Sequence, residues 1–264
     1  MLLSKKIVNN YKNNGVALLQ NAISDRWLKK LAVGIEKNFK DPSQYKCVYE
    51  KENDKEIFYD DYCNWQRIDE YKDFIFNSDI AQIAAQLMQS KKVNLFHEHI
   101  LIKEPGATKR TPWHQDQPYY CVDGKDNCSL WIPLDNISKE VCPEFVKYSH
   151  KWNKKFLPTK FFGHSYEKKD ENLEVVPDIS ANRKDYDIAS WELKPGDLIA
   201  FNFSIIHGAP GNSSLNRRRA FSVRFIGDDA TFAKRKGEVS PPFPEVKLNH
   251  GDKMDCEFFP EIKF

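Results

Sequence analysis

The residues best suited to chemistry in this 264-residue chain lie in Thr111-Pro112-Trp113-His114-Gln115-Asp116. Alternate side chains of a β-strand share a face, so an extended backbone here projects His114 and Asp116 together. An imidazole and a carboxylate so placed supply two adjacent corners of a metal coordination sphere. A third ligand would complete the two-histidine, one-carboxylate facial triad, which leaves three open positions and suits non-haem iron(II). His-x-Asp triplets are common by chance, so their partners decide. His207 is the candidate third ligand. It ends the apolar run Leu198-Ile199-Ala200-Phe201-Asn202-Phe203 ahead of the turn Gly208-Ala209-Pro210-Gly211, where a rigid element can present a functional side chain. Further on, Arg218, Ala220, Ser222 and Arg224 alternate with Arg219, Phe221, Val223 and Phe225. If the apolar set faces a packed layer, Arg218 points the other way beside small residues, and its guanidinium suits bidentate pairing with a carboxylate. Taken alone, Arg217-Arg218-Arg219 reads as a solvated basic run, and a slip in register would put Arg217 or Arg219 in place of Arg218. His97-Glu98-His99 sets two more imidazoles on one strand face. They lack a third ligand and the His-Glu-x-x-His helix spacing of zinc peptidases, so His99 reads as a core or pocket residue.

The elements that must position these residues follow from periodicity. Gly15 to Leu19 predicts a short strand. Ser24 or Asp25 caps a helix to about Phe39, with Trp27, Leu28, Leu31, Ile35 and Phe39 on one side. Residues 41–72 show little period and read as mostly irregular. A second helix spans about Asp79 to Gln89, with Ile80, Ile83, Ala84 and Leu87 as its stripe. From Lys92 the pattern becomes one of strands: Val93, Leu95, His97, His99, Leu101 and Lys103 on one face, Phe96, Ile100 and Ile102 on the other. Glu104-Pro105-Gly106 breaks this strand. Further strands are expected at 129–134, 144–148, 198–203 and 218–225, punctuated by Gly and Pro turns. Many short strands of this kind predict a sandwich or barrel of the jelly-roll type. Residues 151–190 read as an insert that either covers the barrel mouth or is a passive surface excursion. The proline-rich stretch after Asp228 reads as a strap over the outside. The expectation is a single domain: a helical part to about residue 90, a β-core over about 91–228, and the strap over 229–264.

Composition excludes several classes. Hydrophobic residues at 41% and charged residues at 30% can build a sizeable globular core. With 40 basic and 38 acidic residues interspersed, no basic footprint for nucleic acid or a membrane surface is present. The six cysteines form no Cys-x-x-Cys pair, which predicts free thiols in a reducing compartment. The N-terminus shows no signal-peptide run, and no stretch approaches the ~20 apolar residues of a membrane span. The expectation is a soluble, cytoplasmic protein acting on a small molecule; its oligomeric state is open.

The order of fragments resembles the phytanoyl-CoA dioxygenase family of iron(II)- and 2-oxoglutarate-dependent oxygenases. The fragments are Lys103-Glu104-Pro105-Gly106, Trp113-His114-Gln115-Asp116, Leu130-Trp131-Ile132-Pro133-Leu134-Asp135, Lys194-Pro195-Gly196-Asp197, His207-Gly208 and Arg218-Arg219-Ala220-Phe221-Ser222. The resemblance implies a mainly β fold with flanking helices (α+β), built on a double-stranded β-helix core of the cupin-like kind. It implies that His114, Asp116 and His207 hold Fe(II), and that Arg218 pairs with the distal carboxylate of 2-oxoglutarate. It further places Lys103, Thr111, Gln115 and Trp131 at the co-substrate. The reaction implied consumes O2 and 2-oxoglutarate, gives succinate and CO2, and hydroxylates a small molecule. Asp116 speaks against a halogenase, in which a small residue frees a site for halide. One departure stands out: Lys147-Tyr148 occupies the place where family members carry Pro-Gly before Ser-His. Inward-facing Lys103 and Arg224 favour an anionic substrate. Two other classes keep part of the pattern: a non-redox metal barrel such as a hydrolase or isomerase, which has no need of Arg218, and a non-catalytic binding barrel.

Overall fold

The computed structural model describes residues 1–49, 57–158 and 170–264. In chain order the elements are α1 (Lys5–Asn14), β1 (Val16–Leu19), α2 (Asp25–Lys40), β2 (Cys47–Tyr49), β3 (Phe58–Tyr62), α3 (Asp69–Asn77), α4 (Ile80–Met88), β4 (Asn94–Lys103) and β5 (Thr111–His114). There follow β6 (Val122–Asp123), β7 (Asn127–Pro133), β8 (Glu144–Val146), β9 (Lys155–Phe156), β10 (Leu173–Glu174), β11 (Ile188–Ala189), β12 (Leu198–Phe201), β13 (His207–Ala209), β14 (Arg218–Ile226) and β15 (Thr231–Phe232).

A seven-stranded antiparallel sheet in the order β1-β12-β7-β14-β4-β3-β2 faces a four-stranded sheet in the order β11-β8-β13-β5. Strict alternation gives the larger sheet two different faces. Ile100, Ile102, Leu130, Ile132, Phe221 and Val223 point outward and are covered by the helices. Phe221 sits against Tyr71 and Phe74, with ring centroids 4.9 and 5.7 Å apart. Truncating it to Ala should cost about 3–5 kcal/mol. The inner face closes on the smaller sheet through two apolar plugs. One is built on Trp131, Phe145, Ile199 and Phe201, the other on Phe96, Tyr120, Phe203 and Phe259. Between them lies a cavity of about 350 Å³. This is the jelly-roll expected from the strand pattern.

Helices α2 and α4 stand where the apolar periodicity predicts them. Two more escaped it. In α1 only Tyr11 is buried, among lysines and asparagines, and the helix is held by its Ser4 cap and the left-handed Gly15 at φ 80°. Residues 41–72, read as irregular, contain β2, β3 and the start of α3, which extend the larger sheet and cover it; residues 50–56 of that stretch lie outside the described residues. The face assignment of β4 also needs correction. Arg224 pairs with His97 but Phe225 with Leu95, so Phe96 is an extra, bulged residue. Beyond it the faces exchange: Val93 and Leu95 join the helix-covered core, while Phe96 enters the inner plug.

Candidate active site

The candidate metal centre is assembled by strand pairing between distant segments. His114 ends β5 and His207 opens β13, and the two are directly opposed in the smaller sheet. His207 therefore does not end the apolar run before it. That run stops at Phe201 in the larger sheet, and the chain crosses to the other sheet before His207. Asp116 departs from the strand geometry that singled it out. It lies past the end of β5 with φ −73° and ψ −41°, as the cap of a short 3₁₀ turn. Its N–H and that of Gln117 donate to Phe203 O at 2.9 and 3.0 Å. The turn, rather than a two-residue strand period, swings its carboxylate back to the imidazoles.

Asp116 Oδ1 lies 3.4 Å from His114 Nε2 and 3.8 Å from His207 Nε2. The potential ligand atoms of the three residues all fall within 4.8 Å of one another. His114 Nδ1 is 2.8 Å from Pro112 O and His207 Nδ1 is 3.1 Å from Ile205 O. A carbonyl only accepts, so each Nδ1 carries the proton and each Nε2 lone pair faces the centre. That is the orientation metal-bound histidines adopt through their outer hydrogen bonds. Burial pushes His207 down to about 4, with His114 adding to the effect, so the ring is neutral at physiological pH. Burial alone would raise the Asp116 carboxyl, but His207, His114 and Arg224 outweigh it and hold the group ionised, well below the usual range. Among the described residues Asp116 Oδ2 has no hydrogen-bond partner. Two imidazoles with Nε2 toward the centre and one carboxylate fit a divalent cation such as iron(II), with room for further ligands from the cavity.

Beyond the triad the cavity runs toward two buried cations. Arg218 and Lys103 are directly opposed on β14 and β4 and are 6% and 1% exposed. Arg218 Nη1 donates to Val141 O. Lys103 Nζ donates to Lys109 O at 2.7 Å and Pro210 O at 3.0 Å, and lies over the Phe58 ring at 4.6 Å. Among the described residues neither meets a carboxylate. Burial pushes Arg218 down to about 10, and burial followed by the charge of Arg218 holds Lys103 well below its usual value. The neighbouring arginines differ. Arg217 Nη2 lies 2.7 Å from Glu104 Oε1, and Arg219 Nη2 lies 2.8 Å from Asp135 Oδ1. The register is thereby fixed: Arg218 faces the cavity, and Arg217 and Arg219 do not.

Thr111 and Trp131 line the cavity with His114, Asp116, His207, Arg218 and Lys103. Gln115 does not. Alternation turns it away from His114, and its amide donates to Ser204 O at 2.8 Å and Lys154 O at 3.2 Å while accepting from Phe156 N at 3.2 Å. It ties the turn at Asp116 to two loops, a positioning task rather than contact with a co-substrate. The 151–190 insert, read as a cover of the mouth or a passive excursion, is described in part. Its described residues pack Phe156 and Ile179 behind the smaller sheet, and none lines the cavity; 159–169 lie outside the described residues. The strap is not wholly external, since Ser240 and Pro241 reach the cavity wall. At the family's Pro-Gly position, Tyr148 adopts the left-handed conformation, φ 66°, that a glycine favours there. Lys147 and Tyr148 stay off the cavity wall, which Pro143 and Phe145 line instead. Sequence reasoning missed Tyr49, Asp60 and Tyr62 of β2 and β3, which line the cavity, because their stretch carries no alternation of polarity.

The phytanoyl-CoA dioxygenase family profile matches residues 11–220, which contain His114, Asp116, His207 and Arg218. The chain belongs to this family. It is 25% identical over 240 residues to a probable phytanoyl-CoA dioxygenase of Caenorhabditis elegans, across 83% of this chain and 74% of that one. It is 28% identical over 160 residues to the phytanoyl-CoA dioxygenase of Arabidopsis thaliana, across 60% of this chain and 53% of the relative, so about half of the relative is spanned. Among solved structures, the non-haem alpha ketoglutarate-dependent carbocyclase SnoK from nogalamycin biosynthesis superposes with a TM-score of 0.78 at 21% identity, over 99% of this chain and 97% of that one. At that identity the likeness is one of fold. It extends the family's jelly-roll core to the flanking helices and the strap. All six cysteines are free, and among the described residues no helix is long and apolar enough to cross a membrane.

Proposed function

We propose that this chain is an Fe(II)- and 2-oxoglutarate-dependent dioxygenase that hydroxylates a small anionic molecule, with O2 as oxidant and succinate and CO2 as products. The observation that carries the reading is the pairing of a complete triad with two buried cations that meet no carboxylate among the described residues. A buried charge without a partner is costly, and a bound dianion would offset it. His114, Asp116 and His207 would hold the iron, their orientation fixed by Pro112 O, Ile205 O and the Asp116 turn. Arg218 and Lys103 would take the distal carboxylate of 2-oxoglutarate, with Thr111 and Trp131 flanking it. When bound, iron(II) supplies the redox chemistry that couples oxidative decarboxylation of 2-oxoglutarate to oxygen transfer. Leu101, Phe145 and Phe201 line the cavity and keep water from the reacting groups.

Arg224 supports an anionic substrate. It is buried on the inner face, its Nε is 3.7 Å from Asp116 Oδ2, and its Nη1 has no hydrogen-bond partner among the described residues. The same family membership and the free cysteines support a cytoplasmic setting, where iron(II) stays reduced.

The test is anaerobic addition of iron(II) and 2-oxoglutarate to metal-free protein, following the visible charge-transfer absorption of the chelate. The band should vanish in His114→Ala and require far more 2-oxoglutarate in Arg218→Ala. Folded, iron-loaded wild type without a band would favour a non-redox metal enzyme. For the substrate's charge, Arg224→Leu should weaken binding of the anionic substrate; unchanged binding would sink that part of the reading.

A further inference from the structure

Asp60 and Asp61 are adjacent on β3, equally buried, and opposite in circumstance. Asp61 points to the helix-covered side and is saturated. Its carboxylate accepts from Asn38 Nδ2 at 2.7 Å, Ser43 N at 2.8 Å, Tyr62 N at 2.9 Å and Tyr59 Oη at 3.4 Å, and from the Ser43 hydroxyl. Asp60 points into the cavity, 2% exposed. Its Oδ1 is 3.4 Å from His99 Nε2, yet among the described residues that nitrogen makes no hydrogen bond and Asp60 Oδ2 has no partner. The Tyr49 hydroxyl also interacts with the Asp60 carboxylate. The fold thus keeps an acceptor in the cavity that it leaves open, although it satisfies the identical side chain next door in full.

Asp60 belongs to a patch. Tyr62 and Ser222 oppose His99 from the two flanking strands, and Arg224 opposes His97. Ser222 Oγ, His97 Nε2 and Arg224 Nη1 are buried without hydrogen-bond partners among the described residues. Burial holds His97 well below its usual value, reinforced by Arg224, so its ring is neutral. Arg224 and Asp60 mark the charged extremes of the patch, on strands β14 and β3 with β4 between them. By strand spacing and rise their Cα atoms are ~10 Å apart across the sheet and ~13 Å along it, a gap that the long arginine side chain shortens.

We propose that Asp60, flanked by His99 and Tyr49, is a specificity residue. It receives a hydrogen-bond donor, an amine or hydroxyl, at the end of the substrate remote from the anionic group held near Arg224. A small anion with an apolar far end would leave Asp60 Oδ2 unpaired and is discriminated against, because a site built to bond a donor rejects the analogue lacking it. This assignment rests on the dioxygenase reading of the same cavity.

The experiment uses anaerobic protein loaded with iron(II) and saturating 2-oxoglutarate. The probes are straight-chain carboxylates of four to eight carbons ending in an amine, a hydroxyl or a methyl group, titrated by calorimetry. At one length or more, a donor-terminated member should bind at least tenfold more tightly than its methyl counterpart. That preference should fall below threefold in Asp60→Asn and in Asp60→Ala. If Asp60→Asn loses only the amine preference, the donor is an ammonium; if it loses both, a hydroxyl serves as well. Equal binding of donor- and methyl-terminated probes by wild type, binding of no probe, or a preference that survives both variants would overturn the proposal. The chelate band recorded in the same wild-type sample separates the two readings. Its absence counts against the iron and 2-oxoglutarate site, whereas its presence without donor preference counts against Asp60 alone. The wild-type comparison decides even where a variant fails to fold.

Discussion

The two faces of the seven-stranded sheet carry similar charged residues and treat them differently. On the outer face Arg219 is clamped by Asp135 and Asp61 is surrounded by donors. On the inner face Arg218, Arg224 and Asp60 sit on the same strands and are also buried; among the described residues Arg218 meets no carboxylate, and Arg224 and Asp60 keep atoms without a hydrogen-bond partner. A charge removed from water needs compensation from the chain, from a proton or from a ligand. The outer face draws on the chain. The inner face leaves the compensation to whatever enters the cavity. Glu98 marks the boundary between these cases. Its Oε1 accepts from Asn64 N, its Oε2 has no hydrogen-bond partner among the described residues, and burial pushes its carboxyl up to about 7. There a proton supplies what neither chain nor ligand does.

The contrast can be broken by substitution. Asp61→Ala strands several buried donors and should destabilise the fold by about 3–5 kcal/mol in denaturant titration. Asp60→Ala should leave the denaturation midpoint nearly unchanged; a comparable loss would mean that both carboxylates serve the fold. Arg218→Ala should weaken 2-oxoglutarate by about 30-fold or more, from the ~2–5 kcal/mol lost when a buried charge pair is truncated. Equal weakening in Arg219→Ala would erase the distinction between the faces.

Glu98→Gln sharpens the comparison through pH. A carboxyl raised from 4.5 unfolded to about 7 folded favours the folded state in acid, and this contribution is lost as pH rises between those values. The variant should therefore gain stability over wild type above pH 7, by about 3 kcal/mol at most, with the gain fading toward pH 5. Melting curves at the two pH values check the sign. Gln115→Ala should cost about 1–2 kcal/mol through its lost buried hydrogen bonds and loosen the Asp116 turn. It should weaken iron binding more than 2-oxoglutarate binding to the iron-loaded protein. Arg219→Ala, which opens a half-exposed ion pair, should cost at most about 1 kcal/mol.

The local part of this organisation is written in short stretches. Period-two alternation in 218–225 separated Arg218 from Phe221 without any knowledge of partners, because the two faces of a strand follow from backbone geometry alone. The apolar stripes of α2 and α4 were legible for the same reason. The residue types of His114, Asp116 and His207 marked them as candidate ligands, although Asp116 reaches its place by a turn that depends on Phe203. Helix α1 offers too little apolar surface to show a period, and the bulge at Phe96 breaks one that seemed continuous.

By itself, then, the sequence determined which side chains could ligate a metal and which face of β14 is apolar, since composition and local periodicity act within a few residues. Only the tertiary structure decided that, among the described residues, Arg219 meets an acid and Arg218 none, that Asp61 is saturated while Asp60 keeps one oxygen unpaired, and that Gln115 braces the site instead of lining it. Those outcomes depend on pairing between segments up to a hundred residues apart. The satisfaction of a buried charge is a property of its neighbours in space, and no local pattern encodes it.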